Sequence, residues 1–553
     1  MLILCAGFMS ASSADASTRV LGWGDNYQYQ LGVGNNDSTA APIVMRGPDG
    51  LNSISAAEGQ VMAIGPDGSA YAWGDDGVGQ ASGSYDDCCN SQVSRPRSLK
   101  VQADSVTAGW NYNYAVRPDG SVVQWGGYKD GFTVMESLGN VKSLAVGGAY
   151  SGPFYLALLK DGTVKAWGAN QFGQLGLGNT TARVAPKAIP GLTGVKSIAA
   201  GSGNSVALMN DGSIKRWGQL VTAIPANTTK ILSPTTVPGI STATQMSVSD
   251  THVLARLSDG TVKAWGGNSR GSLGDGTETN SADPVTVTGI SNATQVAAGS
   301  MHSLALLGDG TVMAWGGNDV GQLGVDGIKK SLTPVSTMAI TGATAIAASS
   351  QSSFAIQDKS EPVAKLTVRI DPSSEYNEQI NGSGLGYTSW TDQSYALGST
   401  VRYFAPLDAR YATFIGWSGI CSGTADCVAT LTGDSSLGWS YQMNPQYRTA
   451  PDTKFYSKSM DRKRRIAYFS FAASGPGKYT SGITFECRFF MLSPKKSNPK
   501  PAFANCSRGE NIFSRRYLKV KTGTYSFQVR AVSRFGTDAT PAKAIVKMKR
   551  PIK

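Results

Sequence analysis

Histidine is almost absent from this sequence: only two occur among 553 residues. A histidine-ligated metal site or a Ser–His–Asp triad therefore has almost no residues to draw on, which argues against hydrolytic chemistry. Charged residues are also scarce, at 16% against a usual quarter. No apolar run reaches the roughly 18 to 20 residues that a membrane helix needs, so we predict no transmembrane segment.

The sequence signatures of several enzyme classes are missing too. The segment Gly475-Pro-Gly-Lys-Tyr-Thr lacks the spacing of a P-loop, and the glycine pairs follow no βαβ pattern. No H-E-x-x-H, EF-hand loop or C-x-x-C occurs. We therefore expect a non-enzymatic protein with no catalytic residues, no metal site and no cofactor.

The N-terminus and the cysteines favour export. An apolar run from Met1 to Met9 is followed by small residues ending in Ala14-Asp15-Ala16, which predicts a signal peptide over residues 1–16. No basic residue precedes the run, so the true start lies upstream or the signal is weak; the alternative is a buried first strand. Close spacing of the remaining cysteines is typical of disulfides, which predicts a secreted or cell-surface protein rather than a cytosolic one with free thiols.

What the sequence does contain is a repeat. Trp-Gly recurs seven times, and six of the seven tryptophans have Asp-Gly six residues earlier. Asp-Gly between apolar strands predicts a type I′ hairpin, and small-residue strands such as Ile198-Ala-Ala-Gly201 precede the hairpins. Each unit is thus expected to be one blade of an all-β, seven-bladed propeller. The tryptophans are Trp23, Trp73, Trp125, Trp167, Trp217, Trp265 and Trp315.

The two ends of the repeat array complement each other. Trp23 has no Asp-Gly hairpin before it, while residues 345–356 have no Trp-Gly after them. We therefore expect residues 21–24 to pair with residues 344–358 and close the ring, which removes two exposed sheet edges.

The motifs Gly-Gln-Leu-Gly (173–176 and 321–324) and Val-Ala-Ala-Gly-Ser-Met-His-Ser-Leu-Ala-Leu (296–306) resemble the regulator of chromosome condensation repeat. The resemblance covers about residues 19–358 and implies a seven-bladed propeller. It also implies that His252 and His302 are structural, bonded between strands, and that the Trp-Gly tryptophans pack the blades. Trp110, Tyr112 and Tyr114 lie outside the repeat pattern, and we predict that they contact a partner on the propeller face.

Two further β modules are expected after the propeller. Residues 361–449, with Gly-Trp-Ser-Gly and paired cysteines, resemble the divergent internalin B-repeat of bacterial surface proteins, which suggests a Cys421–Cys427 disulfide. Residues 450–553 resemble a bacterial immunoglobulin-like sandwich, in which a Cys487–Cys506 bond would staple the fold. The propeller is then residues 17–360. Whether Cys88 and Cys89 pair is left open.

Charge is distributed unevenly along the chain. Residues 451–553 contain 23 Lys and Arg against 5 Asp and Glu, a net charge of +18, whereas residues 1–450 carry −6. This module is therefore predicted to meet an anionic wall polymer or envelope surface, the alternative being a solvated surface that aids solubility. No nucleic-acid module accompanies the charge, so sequence-specific nucleic-acid binding is not expected. The candidate contact residues are Arg462, Lys463, Arg464, Arg465, Arg515 and Arg516.

These features predict a secreted or surface-displayed binding protein. Its propeller face would recognise a macromolecule, protein or polysaccharide, and its C-terminal modules would act as spacer or attachment. The alternative is a regulator of a small GTPase that acts as a guanine-nucleotide exchange factor, the eukaryotic activity of the repeat family. That activity requires a cytosolic or nuclear location, which the export features oppose.

Overall fold

The structure is a computed structural model that contains only β-strands and irregular segments. No helix occurs among the described residues, which confirms the all-β prediction, and none of these residues forms a helix that could cross a membrane. Within 452–548 it describes strands without their side chains. Elsewhere it describes residues 3–4, 18–83, 92–109, 111–128, 130–135, 138–148, 152–219, 230–370, 391–403, 412–422 and 427–443.

Six sheets consist of four consecutive antiparallel strands each, and we number these blades from first to sixth in chain order. They follow β1 (Ile3–Leu4), β2 (Thr18–Gly24) and β3 (Thr39–Val44). The first three blades are β4 (Ser53–Ala56), β5 (Gln60–Ile64), β6 (Ser69–Asp75) and β7 (Gln92–Gln102); β8 (Ser105–Ala108), β9 (Tyr112–Val116), β10 (Val122–Gly126) and β11 (Thr133–Met135); and β12 (Val141–Gly147), β13 (Phe154–Leu159), β14 (Val164–Gly168) and β15 (Arg183–Ala188).

The next three blades repeat the pattern, and the fifth also carries β1, which pairs antiparallel with its first strand, β20. A strand at this position is what the alternative to a signal peptide, a first strand of the propeller, predicts for the N-terminal apolar run. These blades are β16 (Val195–Ala200), β17 (Asn204–Met209), β18 (Ile214–Gln219) and β19 (Lys230–Thr236); β20 (Ala243–Val248), β21 (His252–Leu257), β22 (Val262–Gly266) and β23 (Ser281–Thr286); and β24 (Ala293–Ala298), β25 (His302–Leu307), β26 (Val312–Gly317) and β27 (Lys330–Ser336).

The sheet that closes the propeller, here called the closing sheet, draws strands from both ends of the repeat region. Its order is β28 (Ala343–Ala348), β29 (Ser352–Asp358), β2 and β3. It is not a separate four-stranded blade, because Ile43 of β3 pairs with Tyr395 of a later strand and the sheet grows to eight strands. The prediction of seven like blades is therefore corrected to six blades, with one composite sheet at the closure.

The predicted pairing across the closure is confirmed. β2 runs antiparallel to β29 from Thr18 opposite Asp358 to Gly24 opposite Ser352. A buried charge reinforces it: Arg19 donates from Nε and Nη2 to Oε1 of Gln357, at 3.0 and 2.8 Å. Because the two residues are 338 positions apart, this contact exists only when the ring is shut.

Neighbouring blades are also joined along their innermost strands. The side chain of Gln245 spans to the next blade, where it accepts from the backbone N–H of Val296 at 2.8 Å and donates to its carbonyl at 3.3 Å. Gln295 repeats both bonds with Ile346, at 2.8 and 3.1 Å. These glutamines supply the blade-to-blade hydrogen bonds that neighbouring sheets otherwise lack.

The Asp-Gly hairpins differ from the predicted type I′ turn. None of the six aspartates has a positive φ, and only the glycines do, as at Gly162 with φ of 80°. Gly162 N–H donates to the carbonyl of Leu159, which fits a type I turn followed by a left-handed glycine. The carboxylate of Asp161 holds this turn by accepting from the N–H and hydroxyl of Thr163, at 2.9 and 2.7 Å.

Among the described residues, fourteen further strands follow β29 in the chain. Those described within 452–548 belong to a second compact unit. The strands are β30 (Val363–Ile370), β31 (Thr391–Ala396), β32 (Thr400–Tyr403), β33 (Ala412–Gly419), β34 (Cys427–Thr430), β35 (Ser435–Met443), β36 (Asp452–Asp461), β37 (Ile466–Ser474), β38 (Thr484–Leu492), β39 (Ala504–Asn505), β40 (Phe513–Tyr517), β41 (Gly523–Ser533), β42 (Gly536–Thr537) and β43 (Ala542–Met548).

We expect the substitution Arg19→Met to lower the free energy of unfolding by about 2 kcal/mol, because it leaves the buried Oε1 of Gln357 without its charged donor. Denaturant unfolding followed by tryptophan fluorescence measures this. The matched control is Arg183→Met on the exposed strand β15, where the arginine bonds only to the carbonyl of Ala185 in its own strand. Equal losses in the two variants would contradict a closing role for Arg19.

Candidate binding face and blade junctions

The propeller has two chemically different ends. Because successive strands are antiparallel, the links from first to second strand and from third to fourth strand emerge at one end, which we call the loop face. The Asp-Gly turns between second and third strands emerge at the other end, the turn face. Backbone bonds join neighbouring blades at both ends: Tyr128 N–H donates to the carbonyl of Val78 on the loop face, and Val195 N–H donates to that of Gly162 on the turn face.

A buried asparagine shapes the long loops of the loop face. Asn170 Oδ1 accepts from Leu175 N–H at 2.9 Å, while its Nδ2 donates to the carbonyls of Asn179 and Thr181, both at 3.0 Å. One side chain thus fixes both limbs of the loop, which keeps the face rigid. In four other loops a side-chain oxygen likewise accepts from the backbone N–H five residues later. These side chains are Asn26, Asn268, Asn318 and Asp76, the last through its carboxylate.

Each loop of this kind then docks on the next blade through one carbonyl. The carbonyl of Gln174 accepts from Trp217 Nε1 at 2.8 Å and from Ser205 Oγ at 2.8 Å, both residues being in the fourth blade. The predicted packing role of these tryptophans therefore includes a hydrogen bond between blades. The same indole-to-carbonyl bond joins Trp23 to Gln322, Trp73 to Gln30, Trp125 to Gln80 and Trp315 to Ser272.

The two histidines extend these junctions. His252 Nε2 lies 2.7 Å from Ser303 Oγ, and His302 Nε2 lies 2.9 Å from Ser353 Oγ. Because each hydroxyl already donates to a loop carbonyl, the imidazole Nε2 must carry the hydrogen and donate to the hydroxyl oxygen. Burial lowers the pKa of both histidines to about 3. They are neutral, fully buried links between strands, in line with the structural role expected for them.

At two junctions the described residues show no docking carbonyl. Neither Trp167 nor Trp265 has a loop carbonyl as partner among them, and residues 220–229, which follow β18, lie outside the described part of the chain. At the first of these junctions Tyr155 stacks on Trp167 with ring centroids 5.0 Å apart. At the second, Val253 replaces the junction serine, and a small cavity of about 20 Å³ is lined by Trp217 and Trp265.

The predicted partner-contact cluster is only partly a surface feature. Trp110 lies outside the described residues, and Tyr112 is half-buried with its ring against Gly127. Tyr114 is buried and its hydroxyl bonds that of Tyr155 at 3.2 Å, so its predicted contact role is wrong. Burial raises the pKa of Tyr114 well above its usual value. Tyr112 and Tyr114 are two positions apart in β9 and share one face of the strand, and on that face Tyr114 meets Tyr155 of the third blade.

Other apolar side chains are exposed on the loop face. Tyr27 is 70% exposed and Tyr128 is 63% exposed, both in links between third and fourth strands. Phe132, Met301 and Ile328 stand on the same face and are also exposed. The sequence signal for Tyr27 and Tyr128 was their place just after a Trp-Gly strand, where the loop leaves the blade.

The turn face presents carboxylates in place of apolar groups. Each of the six turn aspartates is fully or almost fully exposed, and bonds from the residue two positions on lower its pKa. For Asp211 the hydroxyl of Ser213 is the largest cause. No group of three or more His, Cys, Asp or Glu side chains suited to a metal occurs in the described part of the chain.

The predicted C-terminal residues are placed as follows. Cys421 and Cys427 form a disulfide, with their Cα atoms 5.6 Å apart. Cys506, Cys88 and Cys89 lie outside the described residues, and Cys487 is in β38. Arg515 and Arg516 are in β40, whereas Arg462, Lys463, Arg464 and Arg465 lie outside the described residues.

Comparison with known families identifies the repeat. A model of the regulator of chromosome condensation (RCC1) repeat matches residues 18–64, 161–208, 259–306 and 309–356. A second model of this repeat matches residues 141–174, 243–272 and 293–322. The chain therefore contains repeats of the RCC1 type within its propeller.

Curated relatives match part of the chain. The E3 ubiquitin-protein ligase HERC2 of Homo sapiens is 29% identical over 232 residues, which are 37% of this chain and 5% of HERC2. Protein pim1 of Schizosaccharomyces pombe is 28% identical over 254 residues, 39% of this chain and 46% of pim1. The chain thus spans less than half the length of these relatives.

Two solved structures are similar in fold. Human WBSCR16 superposes with a TM-score of 0.53 at 19% identity, covering 62% of this chain and 99% of WBSCR16. Prp20p from Saccharomyces cerevisiae, described together with its binding to Gsp1p and histones, gives a TM-score of 0.53 at 19% identity, with 62% and 91% covered. At this identity the likeness establishes the propeller fold alone.

The buried histidines predict acid sensitivity. Their pKa is about 3 in the folded protein against 6.5 when unfolded, so the unfolded chain binds more protons between these values. Stability is then full above pH 6.5 and falls as the pH drops, by up to about 1.4 kcal/mol per pH unit for each histidine. Urea unfolding between pH 6.5 and 4.5, above the aspartate range, measures the slope.

Substituting His252→Asn should flatten this slope, since asparagine does not titrate and Asn204 already occupies the equivalent position in the fourth blade. A slope that is unchanged in both His252→Asn and His302→Asn would show that other groups cause the acid sensitivity.

The junction bonds predict unequal costs for two like substitutions. Trp315→Phe removes the indole bond to Ser272, whereas Trp265→Phe removes none that the described residues show. Both change the same volume in buried sites, so Trp315→Phe should lower the free energy of unfolding by about 1 kcal/mol more. Parallel denaturant titrations of the two variants test this, and equal values would refute the junction bond as a source of stability.

Proposed function

We propose that the chain is a non-enzymatic binding protein that recognises a macromolecular partner with the loop face of its propeller. The observation that carries this is the concentration of exposed Tyr27, Tyr128, Phe132 and Met301 on that face. Aromatic and methionine side chains are enriched at protein interfaces and supply most of the energy of binding there. A protein partner is favoured over a polysaccharide, because the exposed set mixes rings with aliphatic groups.

The loops that carry these side chains are held before any partner arrives. Asn26 fixes the loop of Tyr27, with Oδ1 accepting from Leu31 N–H at 2.8 Å and Nδ2 donating to the carbonyl of Asn35 at 2.8 Å. The backbone of Tyr128 is tied to Val78 of the preceding blade. Such preorganisation reduces the entropy lost on binding, which suits a recognition surface.

We further propose that the protein acts outside the cytosol, secreted or on the cell surface. The Cys421–Cys427 disulfide supports this, since structural disulfides persist in oxidising compartments. The +18 charge of residues 451–553 would then tether the chain to an anionic wall polymer or envelope surface.

A second candidate function is regulation of a small GTPase by nucleotide exchange. One observation favours it: Prp20p, which has the same propeller fold, is described with its binding to Gsp1p. Here the loop face would contact the GTPase, and the same experiment separates the two proposals.

The test is capture of partners by the full-length chain and by two variants. The triple variant Tyr27→Ser/Tyr128→Ser/Met301→Ser should reduce capture of a specific partner at least tenfold, because it removes exposed anchors without touching the core. The control is Val184→Ser, which alters a side chain that is 96% exposed on the outer strand β15.

A partner retained by the control but lost from the triple variant supports the loop face, and quantitative mass spectrometry of the captured material measures it. If that partner is a small GTPase whose nucleotide release accelerates, the exchange function replaces the first proposal. A partner captured equally by all three proteins would exclude the loop face as its site.

A further inference from the structure

A strand from the N-terminus lies near the axis of the propeller. β1 pairs antiparallel with β20, with Ile3 opposite Val248 and Leu4 opposite Ser247. It also lies close to β4, β8 and β16, the innermost strands of the first, second and fourth blades. Only a segment near the axis approaches the innermost strands of four blades, so β1 lies in the central channel.

The innermost strand of each blade has one edge that no other strand of that blade covers. Such an edge presents backbone N–H and C=O groups that need partners. In β24 the preceding blade supplies them: besides the two bonds from Gln245 to Val296, Ser247 Oγ accepts from Ala298 N–H at 3.0 Å. We call these bonds from side chains of the preceding blade edge bonds.

β16 lacks both side chains that would make edge bonds of this kind to β20. Its residue in the position of Gln245 is Ser197, and its residue in the position of Ser247 is Ala199, which has no hydroxyl. A serine is too short to replace the glutamine. Ser53, the serine at that position in β4, shows this, because its buried Oγ has no hydrogen-bond partner among the described residues.

β1 takes the place of the missing edge bond. Val248 of β20 corresponds to Ala298 of β24, whose N–H points away from its own sheet to Ser247 Oγ. The N–H of Val248 therefore points into the channel, where Ile3 lies opposite. Facing residues oriented in this way exchange two backbone hydrogen bonds. The N-terminal strand thus pairs where the preceding blade offers no side chain.

The direction of β1 determines how a segment enters this channel. β20 runs from the turn face to the loop face, because the link from first to second strand emerges on the loop face. β1 is antiparallel to β20, so its N-terminal end is at the loop face and the chain leads from there toward the turn face. A segment that enters from the loop face in the same orientation leads with its C-terminus.

We propose that the inner edge of β20 is a strand-addition site for the C-terminal tail of a protein partner, and that the chain's own N-terminal residues occupy it until they are removed. The pairing of β1 supports an extended occupant, and the sequence around it, Leu-Ile-Leu-Cys-Ala-Gly, gives the tail its chemistry of apolar and small residues. Backbone hydrogen bonds supply the affinity in strand addition. Cleavage after Ala16, expected for an exported chain, would open the site. This inference rests on the proposed function, because it names the element that a partner on the loop face inserts.

The test uses the full-length variant Ile3→Pro, in which proline removes the N–H that faces Val248 and leaves the closing pair β2–β29 unaltered. The probe is the peptide Lys-Lys-Met-Leu-Ile-Leu-Ser-Ala-Gly, labelled with a fluorophore at its N-terminus. It has the sequence of residues 1–7 with serine for Cys5, preceded by lysines for solubility. Fluorescence anisotropy should show saturable binding with a dissociation constant of about 10 μM, and about tenfold weaker binding to the unaltered chain, where β1 competes.

A methylated peptide separates strand addition from apolar contact. Methylation of the backbone nitrogen of its isoleucine should weaken binding to Ile3→Pro about tenfold, because it removes the N–H that pairs with Val248 and keeps every side chain. Equal binding of the two peptides overturns the proposal, and so does the absence of saturable binding to Ile3→Pro. Equal affinity of Ile3→Pro and the unaltered chain also overturns it, since the N-terminal residues would then not occupy the edge.

A single hydroxyl should close the site. In the Ile3→Pro background, Ala199→Ser offers the N–H of Val248 the acceptor that Ser247 offers in the next blade, so the peptide should bind about tenfold more weakly. Ala297→Ser is the matched control, because it makes the same change in β24, which precedes β28 and not β20. Ser197→Gln is a second closing variant, for use if the first does not fold. Equal affinities in the closing and control variants would refute the edge of β20 as the binding site.

The triple loop-face variant leaves β20 unchanged, which keeps this inference separable from the proposed function. A partner captured equally by the triple variant and by the full-length chain refutes the loop-face function, whatever the peptide does. Loss of capture in the triple variant, together with no peptide binding to Ile3→Pro, sustains the loop face and overturns the strand-addition site.

Discussion

The propeller depends on the antiparallel pairing of β2 with β29. Without it the array would end in two open sheet edges, and the first and sixth blades would each lose one neighbour. The pairing also places Trp23 so that its indole N–H donates to the carbonyl of Gln322. The closing junction therefore has the same hydrogen bond as the junctions between neighbouring blades. The bond between Trp23 and Gln322 spans 299 positions of sequence, whereas the other indole bonds join neighbouring repeats. It completes the ring of junctions, and the loop face becomes a single rigid surface.

Between blades, stability comes from a repeated exchange of hydrogen bonds as well as from apolar burial. A loop held by an asparagine presents one carbonyl, and a tryptophan and a serine of the next blade, such as Trp217 and Ser205, both donate to it. The junction before Trp167 differs, because Tyr155 occupies the place of the junction serine and stacks on Trp167.

Much of this could be predicted because the repeat is local. Trp-Gly preceded by Asp-Gly defines two strands and their turn within about ten residues, and the complementary array ends indicate the closure. The turn type could not be predicted, because the Thr163 hydroxyl bond to Asp161 competes with the Asp-Gly preference for two positive φ values. The predicted number of blades was wrong for a different reason. Ile43 of β3 pairs with Tyr395 of β31, and no local sequence pattern marks this pairing.

The sequence by itself determined the all-β class and the repeated blades, since periodic strands and small inner residues have few other ways to pack. The structural role of His252 and His302 followed from the resemblance of the repeat to a known family. Only the tertiary structure decided which aromatic groups face solvent. Tyr114 and Tyr128 look alike in sequence, yet one hydroxyl is buried against Tyr155 and the other ring stands on the loop face. Burial depends on which blade lies alongside, and that is set by contacts between residues far apart in the chain.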